Sequence, residues 1–409
     1  MRLQRLSKPK GRPMKTNYRL SREIAAGYDP DRLAQMQVLL VGAGALGQNI
    51  GLNLALCQVG QLCLVDLDQF EPHNATRSPC FPSSSERRRW GNSKAGVVAK
   101  KLRTLVSWSK WPKVTYSEGP IQRFGDAPFR DATVVVSAVD SNATREYIGS
   151  MARKHQRPLV EGGFHGSDLS YCILSNDMDG PCWLCHQQLQ IVDHLRLSCT
   201  ARAKEAEVAG FIPATQPAAA ALGALMAEAV IQLGHQNQEI MNRRIYANVR
   251  SAKTTTVRLT QDELCQGRHH WPESAFKVSV DGAALAAELL RQLSGRLEHP
   301  SVILPHRFVV SAPCAACLNP LEINQPEWAL FSRPRCKTCG GAWNLRKGDT
   351  HVASLPVEVH TMLSEDTPEL FGFPLNTLGI VPGTLLEVTD LSGGTCLVDI
   401  SGSVPPTHF

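Results

Sequence analysis

Apolar residues in the first part of the chain fall into short continuous runs separated by a periodic stretch. Val38 to Val41 and Leu62 to Val65 are such runs, bounded by polar residues, as in strands buried on both faces. Between them a Gly-rich turn opens into a helical apolar pattern that continues through Cys57, so Gln37 to Asp66 reads as one βαβ unit. Further buried strands are expected over Ala132 to Val139 and Pro158 to Glu161, with a helix over Asn142 to His155 between them. The sheet is therefore mainly parallel. Right-handed crossovers then place a ligand at the carboxyl ends of its strands.

After Gly166 the pattern changes to strand-like segments at Leu169 to Leu174, Ile245 to Val249 and Thr254 to Leu259, set around an Ala-rich helix from Pro217 to Gly234. These predict a mixed sheet that extends the parallel one. The pattern breaks near Trp271, which puts the boundary of the α/β domain at residue 272, with a basic arm at 1–19. Beyond it we expect a connector at 273–310 containing a helix from about Gly282 to Leu297. A Cys-rich module at 311–345 and a small β-rich tail at 346–409 follow.

Composition narrows the class. The 409 residues suffice for two or three domains, and 43% hydrophobic with 20% charged residues is globular, not disordered. The apolar stretch Ala218 to Ala227 is interrupted at Glu228 and falls short of the roughly 20 residues of a membrane span. No membrane crossing is expected. The N-terminal cations, Arg2 through Arg22, precede the first acid at Glu23 and contain no apolar secretion signal, so a cytoplasmic protein is expected. A net charge of only +6 favours a solvated arm over nucleic-acid binding. Six of the 13 cysteines form Cys-x-x-Cys pairs, which without an export signal read as metal ligands and not disulfides.

Three glycines carry the first chemistry. Gly42-x-Gly44-x-x-Gly47 follows a strand and opens a helix, and Asp66 ends the next strand. Such glycines let backbone amides approach phosphates, while the acid can accept ribose hydroxyls. Read alone, the motif suits NAD as readily as ATP. The polar loop from Asp68 through His73 and Asn74 to Arg77, then Lys94 and Asp140, decides for ATP·Mg²⁺, with cations for phosphates and an acid for the metal.

These residues resemble the family of ThiF, MoeB and the ubiquitin-activating enzymes, in which a Gly-rich loop, Asp-x-Asp, Asn-x-x-Arg, Lys and Thr-Asp-Asn recur in this order. The likeness extends from the segment around Arg22 to about residue 270. Three positions depart: His73 stands for the usual Ser, Ser78 for Gln, and Ser141 separates Asp140 from Asn142. The resemblance implies an α/β, Rossmann-like, mainly parallel sheet extended by antiparallel strands, with a small C-terminal zinc-ribbon and β module. It also implies a homodimer in which Arg22 reaches the neighbouring subunit's nucleotide. The implied nucleotide-binding set is Gly42, Gly44, Gly47, Asp66, Asp68, Asn74, Arg77, Lys94, Asp140 and Asn142, and Cys199 aligns with the family's thioester cysteine. Arg22, Arg77, Lys94, Asp140 and Cys199 form the implied catalytic set.

Two structural zinc sites are expected. Cys182 and Cys185 resemble the family's zinc half-site, but the other half reads Cys265-Gln-Gly-Arg-His269-His270, leaving Cys265 and one of the two histidines as completing ligands. The alternatives are an empty site or another cysteine as the fourth ligand. Cys314, Cys317, Cys336 and Cys339 have zinc-ribbon spacing. The implied activity is ATP-dependent adenylation of the C-terminal carboxylate of a ubiquitin-like protein. Thioester formation on Cys199 and transfer to a conjugating enzyme would follow, as in bacterial antiphage-type conjugation systems. A sulfur-carrier adenylyltransferase is the second reading, and a zinc-stabilised scaffold the third.

Overall fold

The computed structural model describes residues 20–110, 112–177, 179–185, 214–265, 267–272, 274–314, 316–329, 335–340 and 358–401. The chain begins with two short helices, α1 (Ser21–Ala25) and α2 (Pro30–Leu33). The α/β unit then runs β1 (Gln37–Val41), α3 (Ala45–Leu56), β2 (Gln61–Asp66), α4 (Ser84–Trp90), α5 (Lys94–Leu105) and β3 (Lys113–Glu118). It continues with α6 (Ala127–Asp131), β4 (Val134–Ser137), α7 (Asn142–Lys154), β5 (Leu159–His165), β6 (Asp168–Leu174), α8 (Gln216–Gly234), β7 (Arg243–Asn248) and β8 (Lys253–Arg258).

These eight strands form one sheet in the order β3-β2-β1-β4-β5-β6-β7-β8. The first five are parallel and the last three antiparallel, the mixed sheet expected from the hydrophobic pattern with the antiparallel extension that the resemblance implied. The apolar runs explain the parallel half: Val38, Leu40, Leu62, Leu64, Val134 and Val136 are buried on one face, and Leu39, Val41, Val65 and Val135 on the other. From β1 the chain first moves outward through β2 and β3, then returns to place β4 on the other side of β1. A crevice therefore opens at the carboxyl ends of β1 and β4, where ligands bind in such sheets.

Among the described helices, only α8 is long and apolar enough to cross a membrane, and 56% of its most apolar window is buried within the protein. It packs across α3, where a Cβ on Gly223 would come within 2.6 Å of Asn49 Cβ. Its glycine permits the close approach of the two helices.

The rest of the chain departs from the expected three pieces. β9 (Ser274–Ser279), α9 (Ala286–Ser294), β10 (Ser301–Pro313), β11 (Pro320–Pro326), β12 (Glu358–Leu363), β13 (Leu385–Thr389) and β14 (Thr395–Ser401) build one second domain. Its six-stranded sheet has the order β11-β10-β13-β14-β9, with β12 also paired to β10. Residues expected in the connector (Val278, Leu289, Val302) and in the tail (Leu363, Leu386, Val398) share one core. The physical reason is that none of these segments alone has an apolar face large enough to close a core. The Cys-rich module grows out of the β10–β11 hairpin instead of standing apart.

The two domains are latched together. Asp126, just before α6, is 2% exposed and accepts from Lys154 Nζ at 2.8 Å and from the Leu385 amide at 2.7 Å. Burial alone would raise its carboxyl pKa, but His155 and Lys154 together outweigh that and hold it below the usual range. Gly125 has φ +59°, and a Cβ there would collide with Thr384 and Val381 at 2.7 Å. Arg268 makes a two-pronged ion pair with Glu387 and stacks on Trp271 at 4.4 Å.

Candidate functional site

The three glycines have different jobs. Gly42 leaves β1 with φ +98°, and a Cβ there would lie 2.5 Å from the Ala138 carbonyl oxygen beyond β4. Any side chain would push the two loops of the crevice apart. A Cβ on Gly47 would sit 1.8 Å from the Gly42 oxygen, so the first turn of α3 closes on the loop only with glycine here. Gly44, the N-cap of α3, has nothing within 4 Å of its Cβ position. That leaves open space at the N-terminus of a 12-residue helix, the kind of place where anions bind.

Asp66 organises this loop from the end of β2. Its Oδ2 accepts from the Ala43 amide at 2.6 Å and its Oδ1 from the Asp68 amide at 2.7 Å. Burial pushes the carboxyl pKa up, and the two amides and Lys94 only partly oppose it. Lys94 begins α5 and holds Asp68 Oδ2 at 2.9 Å. The 68–70 segment is also zipped to 92–94, through Phe70 N to Asn92 O at 2.8 Å and Lys94 N to Asp68 O at 2.9 Å.

Asn74 is buried, and its Oδ1 accepts from the Glu71 amide at 2.9 Å, so it fixes the 3₁₀ turn over Pro72–Arg77. Arg77 ends that turn, half-buried. Sequence reasoning missed Gln48. It is fully buried, donating from Nε2 to Ala43 O at 3.0 Å and accepting from the Cys80 amide at 2.9 Å. It ties the Gly loop to the chain leaving Arg77. The adjacent polar pair Gln48-Asn49 in the first turns of a largely apolar helix was the available signal.

On the other side of the crevice β4 ends at Ser137, earlier than expected. Asp140 is exposed in the loop beyond, and Ser141 caps α7, whose first residue is Asn142. Ser141 thus has a local job at the position where it interrupts the Asp-Asn pair. Arg22 is exposed on α1. The chain following α1 is moored to α8 by Tyr28 on Glu228 and by the Asp29 amide on His235 Nε2 at 2.8 Å. Among the described residues, no hydrogen bond or ion pair joins Arg22 to the Gly loop of its own chain. Cys199 lies outside the described residues.

Both Cys clusters assemble. Cys182, Cys185, Cys265 and His269 converge with their ligand atoms within 4.8 Å of one another. Cys182 Sγ lies 3.7 Å from Cys185 Sγ and 3.6 Å from Cys265 Sγ, and Cys185 Sγ lies 3.4 Å from His269 Nε2. Metal–sulfur bonds of about 2.3 Å give a tetrahedron with edges of roughly 3.8 Å, so the spacing fits zinc. His269 is buried and joins the cluster, whereas His270 is exposed. Arg153 at the end of α7 is 1% exposed and donates from Nε to the His269 carbonyl at 3.0 Å. Its charge suits three thiolates and Zn²⁺, which leave one net negative charge. In the second domain Cys314, Cys317, Cys336 and Cys339 also converge within 4.8 Å, with Cys314–Cys339 at 3.6 Å and Cys317–Cys336 at 3.5 Å.

The sheet order and the crevice at its switch point define a Rossmann-like α/β class. The ThiF family profile matches residues 18–267, and the chain belongs to that family. Over 172 residues it is 31% identical to the maize (Zea mays) protein "Adenylyltransferase and sulfurtransferase MOCS3-1", covering 41% of this chain and 35% of the maize protein. Over 151 residues it is 32% identical to human (Homo sapiens) "Ubiquitin-like modifier-activating enzyme 7", covering 35% of this chain and 14% of the human protein. The chain thus spans less than half the length of these relatives. Among solved structures, E. coli MccB with ATP superposes with TM-score 0.50 at 20% identity, covering 62% of this chain and 75% of MccB, a likeness of fold.

Proposed function

We propose that this protein uses ATP·Mg²⁺ to adenylate the C-terminal carboxylate of a ubiquitin-like or sulfur-carrier protein. The observation that carries the reading is the crevice itself. Gly44 has open space at the N-terminus of α3, Lys94 is linked to the same loop through Asp68 and Asp66, and the exposed Asp140 follows β4 on the other side of β1. An ionised carboxylate needs no general base to attack the α-phosphate of ATP. The carbon–oxygen–phosphorus linkage forms as pyrophosphate leaves, giving an acyl-adenylate. Lys94 and Arg77 stabilise charge on the phosphates, and Asp68 parks the Lys94 ammonium until nucleotide arrives. Asp140 would hold the magnesium, which would supply neutralisation of the phosphate charge, and Asn142 belongs to the nucleotide-binding set.

The converging Cys and His side chains bind two structural zinc ions. The protein is a homodimer in which Arg22 completes the partner's crevice, which accords with its exposed place on α1. Mixing Arg22→Ala and Asp140→Ala subunits should therefore restore part of the activity that each homodimer lacks; no recovery in verified heterodimers would put Arg22 in its own chain's site.

Cys199 accepts the carrier as a thioester, releasing AMP, and passes it to a conjugating enzyme. Adenylation needs no protein thiol, so the two steps separate. Cys199→Ala should keep carrier-stimulated ATP–pyrophosphate exchange within about twofold of wild type and lose a thiol-sensitive enzyme–carrier adduct. Were the adduct to persist in the variant, Cys199 would be excluded. Robust exchange with no adduct in the wild type would favour sulfur transfer over conjugation.

A further inference from the structure

Beyond β4 the backbone is tied to β1 through the Ala138 amide, which donates to the Val41 carbonyl at 2.8 Å. The β4–β1 and β4–β5 ladders end at Ser137, and Ala138 and Val139 then carry the chain to Asp140 outside the sheet. Among the described residues, the Arg145 side chain reaches back to this turn. Arg145, in the first turns of α7, donates from Nε at 3.0 Å and from Nη2 at 2.8 Å to the carbonyl oxygen of Val139. Its remaining nitrogen, Nη1, lies 3.4 Å from Oε1 of Glu161 on β5. The Glu161 side chain is 3% exposed, and its other oxygen accepts from Cys172 Sγ at 3.6 Å. Space for the guanidinium is reserved by Gly163, where a Cβ would come within 2.7 Å of Nη2.

We propose that Arg145, anchored by Glu161, is a positioning residue that fixes the Val139 peptide and thereby aims Asp140 into the crevice. A planar guanidinium donating twice to one oxygen restrains that peptide in a way a point-charge ammonium does not. Glu161 is register-paired with Ser137, so the anchor lies beside the last ladder residue of β4. A buried ion pair seldom adds much net stability over an apolar pair, which leaves geometry as what this one supplies. The inference rests on the assignment of Asp140 as the magnesium anchor, and the test separates the two.

ATP binding to the full chain is measured by calorimetry in EDTA and across a magnesium titration, for wild type, Asp140→Ala, Arg145→Lys and Glu161→Gln. Arg145→Lys keeps the charge opposite Glu161 but loses the fork. It should raise the magnesium concentration needed for half-maximal tightening about tenfold, as loss of a supporting partner does at metal sites. Its ATP affinity in EDTA should stay within about twofold of wild type. Glu161→Gln, which leaves the fork without its charged anchor, should move the magnesium requirement in the same direction by less. Wild-type magnesium dependence in Arg145→Lys and Glu161→Gln, beside its loss in Asp140→Ala, would overturn the proposal alone. Equal weakening of ATP in EDTA and in magnesium would also overturn it, since Arg145 would then only support the fold. Unchanged magnesium dependence in Asp140→Ala would overturn both assignments.

Discussion

Asp140→Ala is expected to lower carrier-stimulated ATP–pyrophosphate exchange by about a hundredfold or more, the scale seen when a preorganised charge-stabilising group is removed. The fold should not notice. Asp140 is exposed in the loop between Ser137 and the α7 cap, and surface substitutions away from special contacts usually stay within about 0.5 kcal/mol. Exchange and the thermal midpoint measured on one preparation decide the matter. Exchange at the wild-type rate would remove Asp140 from the metal site, and a collapsed midpoint would make it structural.

The second large effect concerns the Cys182, Cys185, Cys265 and His269 cluster. Cys265 and His269 flank Arg268, whose ion pair with Glu387 fastens the second domain, and Arg153 links the same loop to the end of α7. Loss of metal should therefore loosen the domain junction as well as the cluster. Elemental analysis of the wild type should give two zinc ions per chain, one for each cluster. Cys185→Ser should reduce this to one, lower the thermal midpoint by about 10 °C or more, and open protease sites near residue 272. His270→Ala should leave all three unchanged, since His270 is exposed. Zinc stoichiometry unaffected by Cys185→Ser, or lost in His270→Ala, would contradict the ligand assignment.

Much of the first domain was legible because its local signals agree. Continuous Val and Leu runs gave the central parallel strands, and the Gly spacing gave the turn at the end of β1. The strand-like segments after Gly166 gave a mixed extension, whose antiparallel direction came from the family resemblance. β3 escaped notice because Lys113–Glu118 alternates at the sheet edge, with Val114 buried and Lys113 exposed, and so lacks a continuous apolar run. The second domain was misdivided for a non-local reason. β9 pairs with β14 across more than a hundred residues, and no window around Val278 reveals a partner at Ile400.

The candidate site shows the same split. Gly42, Asp66, Lys94 and Asp140 could be named from residue type and order. Gln48, Arg145 and Glu161 act through contacts between elements, and nothing in their immediate sequence states which carbonyl or carboxylate they meet. The choice between His269 and His270 likewise depends on which side chain is turned inward, and that is set by the packing of Arg153 and the Cys182 loop.

The central claim is transfer of AMP to a protein C-terminus. The most direct measurement is intact mass spectrometry of a small ubiquitin-like protein ending in Gly-Gly, incubated with this protein, ATP and magnesium, beside the same protein lacking its last glycine. The account predicts a mass gain of one adenylyl group on the full-length carrier, with release of pyrophosphate, abolished by Asp140→Ala and absent from the truncated carrier. Pyrophosphate release with no adenylyl group on a carrier C-terminus, or equal labelling of the truncated carrier, would contradict it.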